Sequence, residues 1–132
     1  MIFIDTNFYV SLENKADSNH EKAKEILNSL IQKDPQFFTT TLILYETVTV
    51  ISLRVGREAA IYFKDNFDPA TRVLWLDKAI ETKAWNLFRK IKDKDVSFVD
   101  CYSFALLGEL MVREVLTFDK DFAKQGFQLL GL

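Results

Sequence analysis

Met1-Ile2-Phe3-Ile4-Asp5-Thr6-Asn7 opens the chain with an apolar run that stops at an acid. Residues 2 to 4 read as a short apolar strand, and Asp5 stands where the carboxyl edge of a sheet would lie. An acid this early also breaks any signal peptide or membrane span, and apolar runs elsewhere are only a handful of residues long. The expected location is the cytoplasm, with no membrane contact.

Outward from that strand, the chain alternates short strands and amphipathic helices. Ser18-Asn19-His20-Glu21 has capping-box spacing ahead of a helix that should bury Ala23, Ile26, Leu27, Leu30 and Ile31, and Asp34-Pro35 stops it. No element is read between Asp5 and Ser18. Phe37 to Thr39 reads as a second strand. Leu42 to Leu53 is rich in Val, Thr and Ile, which favour strand, but its length and its end in Arg54-Val55-Gly56 predict a helix. Another helix runs from Arg57 to Asn66, Arg72 to Leu76 forms a third strand, and residues 78 to 91 place Ala79, Ile80, Ala84, Leu87, Phe88 and Ile91 at helical spacing. Ser97 to Val112 is the next helix, Val115 to Phe118 a fourth strand, Asp121 to Lys124 a turn of helix, and Phe127 to Leu130 a last strand. This order predicts an α/β fold, a parallel sheet flanked by helices, with ligand sites beyond the carboxyl ends of its strands. With 132 residues and no repeat or linker, residues 1–132 are expected to form a single domain.

Composition narrows the chemistry. One cysteine, Cys101, excludes an internal disulfide and a cysteine-based zinc site, and one histidine, His20, argues against His-rich metal sites and a Ser/His/Asp triad. Any metal would be held by carboxylates, which selects Mg²⁺ or Mn²⁺. The net charge of −2 speaks against a nucleic-acid partner at first sight. Setting four acids aside for a metal leaves 17 basic against 15 acidic residues, and the bound ion adds further positive charge.

The informative acids lie in otherwise uncharged stretches. Asp5 follows the first strand, and Glu46 is the only charge between Thr39 and Leu53. Asp100 is the only charge between Val96 and Gly108, and Asp119 follows Val115-Leu116-Thr117-Phe118, with Asp121 two residues on. Burying an ionised carboxylate without a partner costs several kcal/mol, on the order of ~3–5, and these stretches contain no lysine or arginine. Each acid also has a plainer reading: Asp100 as a capping-box partner of Ser97, Asp119 as a helix cap, Glu46 on a solvated helix face, Asp5 in a turn. A parallel sheet would nevertheless bring all four to one edge.

Together these residues resemble the PIN-domain family, especially the toxin nucleases usually called VapC. The motifs are Ile4-Asp5-Thr6-Asn7, Glu46 within Leu44-Tyr45-Glu46-Thr47, Ser97-Phe98-Val99-Asp100 opening a helix, and Leu116-Thr117-Phe118-Asp119-Lys120-Asp121-Phe122. His20-Glu21-Lys22-Ala23 also looks like the family's second helix. The resemblance implies a PIN-like three-layer sandwich, a parallel four- to five-stranded sheet with helices on both faces. It also implies an acidic pocket binding Mg²⁺ or Mn²⁺, and endonuclease activity on single-stranded RNA or structured tRNA and rRNA. Asp5, Glu46 and Asp100 carry over as the core catalytic and metal-binding acids and Asp119 as the more variable fourth, favoured over Asp121 because it follows the strand more closely. Thr6, Asn7, Ser97 and Thr117 carry over as residues that orient them or hold metal-bound water.

A toxin of this kind implies an antitoxin protein and a homodimer. Phe8, Tyr9 and Leu12 could dock such a partner or belong to the core. Cys101 reads as a core residue and His20 as a surface helix residue. Lys15, Arg54, Arg57, Lys120 and Lys124 are possible phosphate contacts against a reading as plain surface charge. Three rivals stand beside the toxin: an RNA-processing PIN nuclease without antitoxin, a catalytically silent PIN-like binding module, and a phospho-receiver. The receiver needs a lysine at the end of the last strand, and residues 127–132 have none.

Overall fold

The computed structural model describes residues 1–131. Its elements in chain order are β1 (Ile2–Ile4), α1 (Thr6–Glu13), α2 (His20–Ile31), β2 (Phe37–Thr40), α3 (Thr41–Arg54), α4 (Arg57–Asp65), β3 (Arg72–Leu74), α5 (Lys78–Lys90), α6 (Phe98–Leu110), β4 (Glu114–Leu116), α7 (Asp121–Lys124) and β5 (Gln128–Leu129). The strands form one sheet in the order β3-β2-β1-β4-β5, with every pairing parallel. β1 is central. The chain steps from it to β2 and β3 on one side, then crosses to β4 and β5 on the other, so the topological switch point lies between β1 and β4.

Helices flank the sheet in two packed groups, α1 to α4 in one and α5 with α6 in the other. Phe3 of β1 is fully buried and meets Phe38 of β2 at 5.4 Å and Phe122 of α7 at 6.5 Å. Phe122 in turn meets Phe104 of α6 at 4.8 Å, so aromatic packing ties the sheet to both later helices. Cys101 is buried in the core as a free thiol.

Several expectations are corrected. Thr6–Glu13 is a helix although its Thr, Asn, Phe, Tyr and Val are weak helix formers; burial of Phe8, Tyr9, Val10 and Ser11 overrides propensity. The Ser18–Glu21 capping box does not form. Asp17 accepts the Asn19 N–H at 2.8 Å and the Ser11 hydroxyl at 3.2 Å, and this turn fixes the helix start at His20. His20 is consequently buried, its Nδ1 2.8 Å from the Ser11 carbonyl oxygen, and is no surface residue. Ile31 at the end of α2 is half exposed, and Ala79 and Phe88 also face solvent. The third strand stops at Leu74 because β2, its sole partner, ends at Thr40 opposite it. Likewise β4 stops at Leu116, paired with Ile4, since the chain after Ile4 turns into α1.

Candidate active site

A pocket of about 170 Å³ opens at the carboxyl edge of the sheet beside the switch point, lined by Asp5, Glu46, Asp100 and Asp119 among others. Four different elements deliver these acids. Asp5 ends β1, Glu46 lies on α3, Asp100 stands in the first turn of α6, and Asp119 follows β4. Asp121 is outside the pocket and pairs with Lys124 at 3.3 Å.

Each of the four carboxylates is steered by a hydrogen bond to one of its oxygens. Thr117 Oγ1 donates to Asp5 Oδ2 at 2.8 Å, and Thr6 Oγ1 donates to Glu46 Oε2 at 2.5 Å. The Ser97 N–H donates to Asp100 Oδ2 at 2.9 Å, and the Asp121 N–H donates to Asp119 Oδ1 at 2.9 Å. The capping reading of Asp100 is therefore realised, with Ser97 Oγ accepting the Asp100 N–H in return, yet the same carboxylate borders the pocket. Asp119 likewise receives an amide of α7 while bordering it.

Asn7 and Thr117 brace the edge itself. Asn7 Oδ1 accepts the Phe118 N–H at 2.9 Å and lies 3.2 Å from Thr117 Oγ1, which accepts the Asp119 N–H at 3.0 Å. The start of α1 and the end of β4 are thereby locked together, which sets Asp5 against Asp119. Asp5 occupies the N-cap position of α1 but makes no capping hydrogen bond, its Oδ2 being committed to Thr117 instead.

Burial pushes the Asp5 carboxyl up to about 7; the Thr117 hydroxyl and Thr6 N–H pull against this, and the charges of Asp100 and Glu46 add to it. Asp100 is raised by burial first and then by the negative charges of Asp119 and Glu46. Asp119 is raised by burial and by Asp121. These shifts share one cause: acids are held together out of water without enough positive charge.

That electrostatic deficit is the test of whether a hard divalent cation fits. The donors are all oxygens, as Mg²⁺ and Mn²⁺ require, and Asp5 lies buried in no ion pair among the described residues. No three Asp, Glu, His or Cys side chains among the described residues are gathered as a finished ligand set. A divalent charge would offset the burial and mutual repulsion that raise these acids.

Two residues missed or undervalued in the sequence also line the pocket, Asp17 and Arg54. Asp17 hides among the polar residues of a turn, where nothing in its neighbourhood marks it. Arg54 carries a signal: it lies two turns beyond Glu46 and one beyond Val50, and all three line the pocket from a single stripe of α3. It is the only cation there and pairs with no acid among the described residues.

Comparison with known proteins adds three findings. The PIN domain family matches residues 2–128. The 23S rRNA-specific endonuclease VapC20 of Mycobacterium tuberculosis is 33% identical over 128 residues, spanning 96% of this chain and 95% of that protein. The crystal structure of VapC20, described as a Sarcin-Ricin loop cleaving toxin, superposes with a TM-score of 0.88 at 31% identity, over 97% of each chain. FitAcB from Neisseria gonorrhoeae superposes with a TM-score of 0.70 at 19% identity, over 98% of this chain and 96% of that one, and shares the fold.

Proposed function

The chain belongs to the PIN-domain family, and from that premise we propose that it is a divalent-metal-dependent endoribonuclease, the toxin of a toxin–antitoxin pair. Residues 1–132 act as one PIN domain in the cytoplasm. The carrying observation is the pocket at the switch point, which Asp5, Glu46, Asp100 and Asp119 all line and where Asp5 is buried in no ion pair among the described residues. The identity to VapC20 extends across nearly the whole of both chains, which favours structured ribosomal RNA as the substrate class.

Asp5, Glu46, Asp100 and Asp119 would hold Mg²⁺ or Mn²⁺. When bound, such an ion lowers the pKa of water and neutralises charge on a phosphate. The chain's own side chains prepare that chemistry by position. Thr117, Thr6 and the Ser97 and Asp121 amides each orient one oxygen of a carboxylate that borders the pocket. Arg54, in no ion pair among the described residues, extends the pocket along α3 and would hold a phosphate of the RNA. Neither Cys101 nor His20 reaches the pocket, which removes both as nucleophile or base.

A second pocket, between α1, α2 and α4, supports the antitoxin part of the reading. Leu12, Leu27, Ile31 and Tyr62 border it, an apolar surface on which a partner segment would seat. Phe8, by contrast, is core: it is buried and stacked on Phe118 at 5.7 Å.

The test joins activity to folding. With Mg²⁺ or Mn²⁺ the wild type should cleave rRNA fragments, EDTA should stop it, and Asp5→Asn should lose more than ~100-fold while retaining its circular dichroism spectrum. Chelator-resistant cleavage, or full activity in Asp5→Asn, refutes the site.

A further inference from the structure

We propose that Trp85, Phe88 and Phe98 form a base-stacking platform for unpaired RNA, placed beside the acidic pocket and flanked by free cations. The proposal rests on the ribonuclease reading and names how the substrate is gripped.

The three rings form a surface cluster. Trp85 packs on Phe98 at 4.5 Å with a 32° tilt, and Phe88 meets both edge-on, at 5.8 Å from Trp85 and 6.1 Å from Phe98. Trp85 and Phe88 remain 42% and 40% exposed, and neither belongs to the hydrophobic core. Phe98 packs against the indole, and the 42% of Trp85 that stays exposed is available to a planar partner. Phe98 ties the group to the core, whereas Trp85 and Phe88 lie outside it and keep apolar surface in water, which points to a ligand.

Charge selects the ligand. Arg89 follows Trp85 by one helical turn, and the segment Arg89 to Lys94 holds four cations against one acid in a chain whose net charge is −2. None of those four cations forms an ion pair among the described residues. A second copy of the chain meeting this face through two-fold symmetry would set cations against cations. RNA supplies the opposite charge and a π-face together, which is how single-stranded nucleic acid is gripped.

Placement connects the platform to the cut. Phe98 and Asp100 both lie in the first turn of α6, about 3 Å apart along its axis, and their side chains leave on opposite sides. A base stacked on Trp85 would thus have its strand pass the N-terminal end of α6 toward Asp100.

The experiment measures binding of a labelled, unstructured oligoribonucleotide by fluorescence anisotropy with Mg²⁺ present, in an Asp100→Asn background so that cleavage does not intervene. Stacking energies of ~1–3 kcal/mol per base predict that Trp85→Ala weakens binding roughly 5- to 100-fold. Trp85→Phe should recover most of it. Arg89→Ala should shallow the salt dependence by about 0.7 in log–log slope. If Trp85→Ala destabilises the fold, quenching of tryptophan fluorescence by RNA in the protein with Trp75→Phe reports on Trp85 directly. Unchanged affinity in a folded Trp85→Ala, absent quenching, or a dimer that Trp85→Ala dissociates in sedimentation each overturns the platform. RNA bound through Trp85 by a wild type that never cleaves sustains the platform and refutes the nuclease reading, so the two fail separately.

Discussion

Helix α1 divides two unlike pockets. Thr6, Asn7 and Val10 look into the acidic pocket at the sheet edge, whereas Tyr9, Leu12 and Glu13 look into the larger apolar one shared with α2 and α4. On the acidic side the polar side chains that α1 contributes are committed, Thr6 to Glu46 and Asn7 to Phe118. On the apolar side the Tyr9 hydroxyl is buried with no hydrogen-bond partner among the described residues. The smaller and more polar cavity is the one prepared for chemistry. Its excess is charge, which an ion can relieve; the other's is apolar surface, which a polypeptide can cover.

If charge is the stored cost of the acidic side, protons should relieve it as metal does. Asp5 has its folded value raised from 3.8 to about 7. Folded Asp5 thus holds its proton where the unfolded chain has lost it. That contribution is fully present below pH ~4 and disappears as pH rises through about 7, an amount on the order of 4 kcal/mol. Asp100 and Asp119 shift in the same direction. Without metal the thermal midpoint should therefore fall, by roughly 10–20 °C, between pH 4.5 and 8. Mg²⁺ or Mn²⁺ should flatten that slope, and Asp5→Asn should remove most of it. An apo protein whose midpoint is level across this range would show that the acidic pocket carries no such cost.

A smaller effect tests the hydrogen bonds that prepare the acids. Thr117→Val keeps shape but loses the donor to Asp5 and the acceptor for the Asp119 N–H. Removing a group that orients a metal ligand costs about 10–100-fold in metal affinity or activity, so the metal concentration for half-maximal cleavage should rise by that factor. Thr117→Ser, which restores the hydroxyl, should recover it. Equal activity in all three proteins would mean that Asp5 needs no steering.

Much of this comparison was legible in the sequence, on one side only. Asp5, Glu46 and Asp100 stood out as charges in uncharged stretches and Asp119 as the acid closing an apolar strand, and alternation of strand and helix predicted that a parallel sheet would gather their edges. Helix α1 was not legible, because its residues favour other conformations and it is stabilised by burial between partners remote in sequence. The apolar pocket was invisible for the same reason: Tyr9, Leu27 and Tyr62 become neighbours only when α1, α2 and α4 pack. His20 shows the limit of helical periodicity as a guide. Its ring is buried against the Ser11 carbonyl, which belongs to a helix the periodicity did not reveal.

The smallest prediction concerns the other side of α1. Burial, with the nearby charge of Asp68, raises the Tyr9 hydroxyl and holds it neutral. A buried donor left unsatisfied costs ~1–3 kcal/mol, whereas the ring itself is well placed, packed edge-on to Phe63 at 5.5 Å and against Phe67 at 5.7 Å. Tyr9→Phe keeps those ring contacts and removes only the unpaired oxygen. It should raise stability to chemical denaturation by about 1 kcal/mol and leave RNA cleavage as it was, because the two pockets share a helix but no hydrogen bond through Tyr9. Affinity for an antitoxin segment seated there would fall if that segment supplies the missing partner. A loss of stability instead would mean that the hydroxyl is satisfied in the free protein, and the contrast between a committed and an uncommitted face of α1 would then fail.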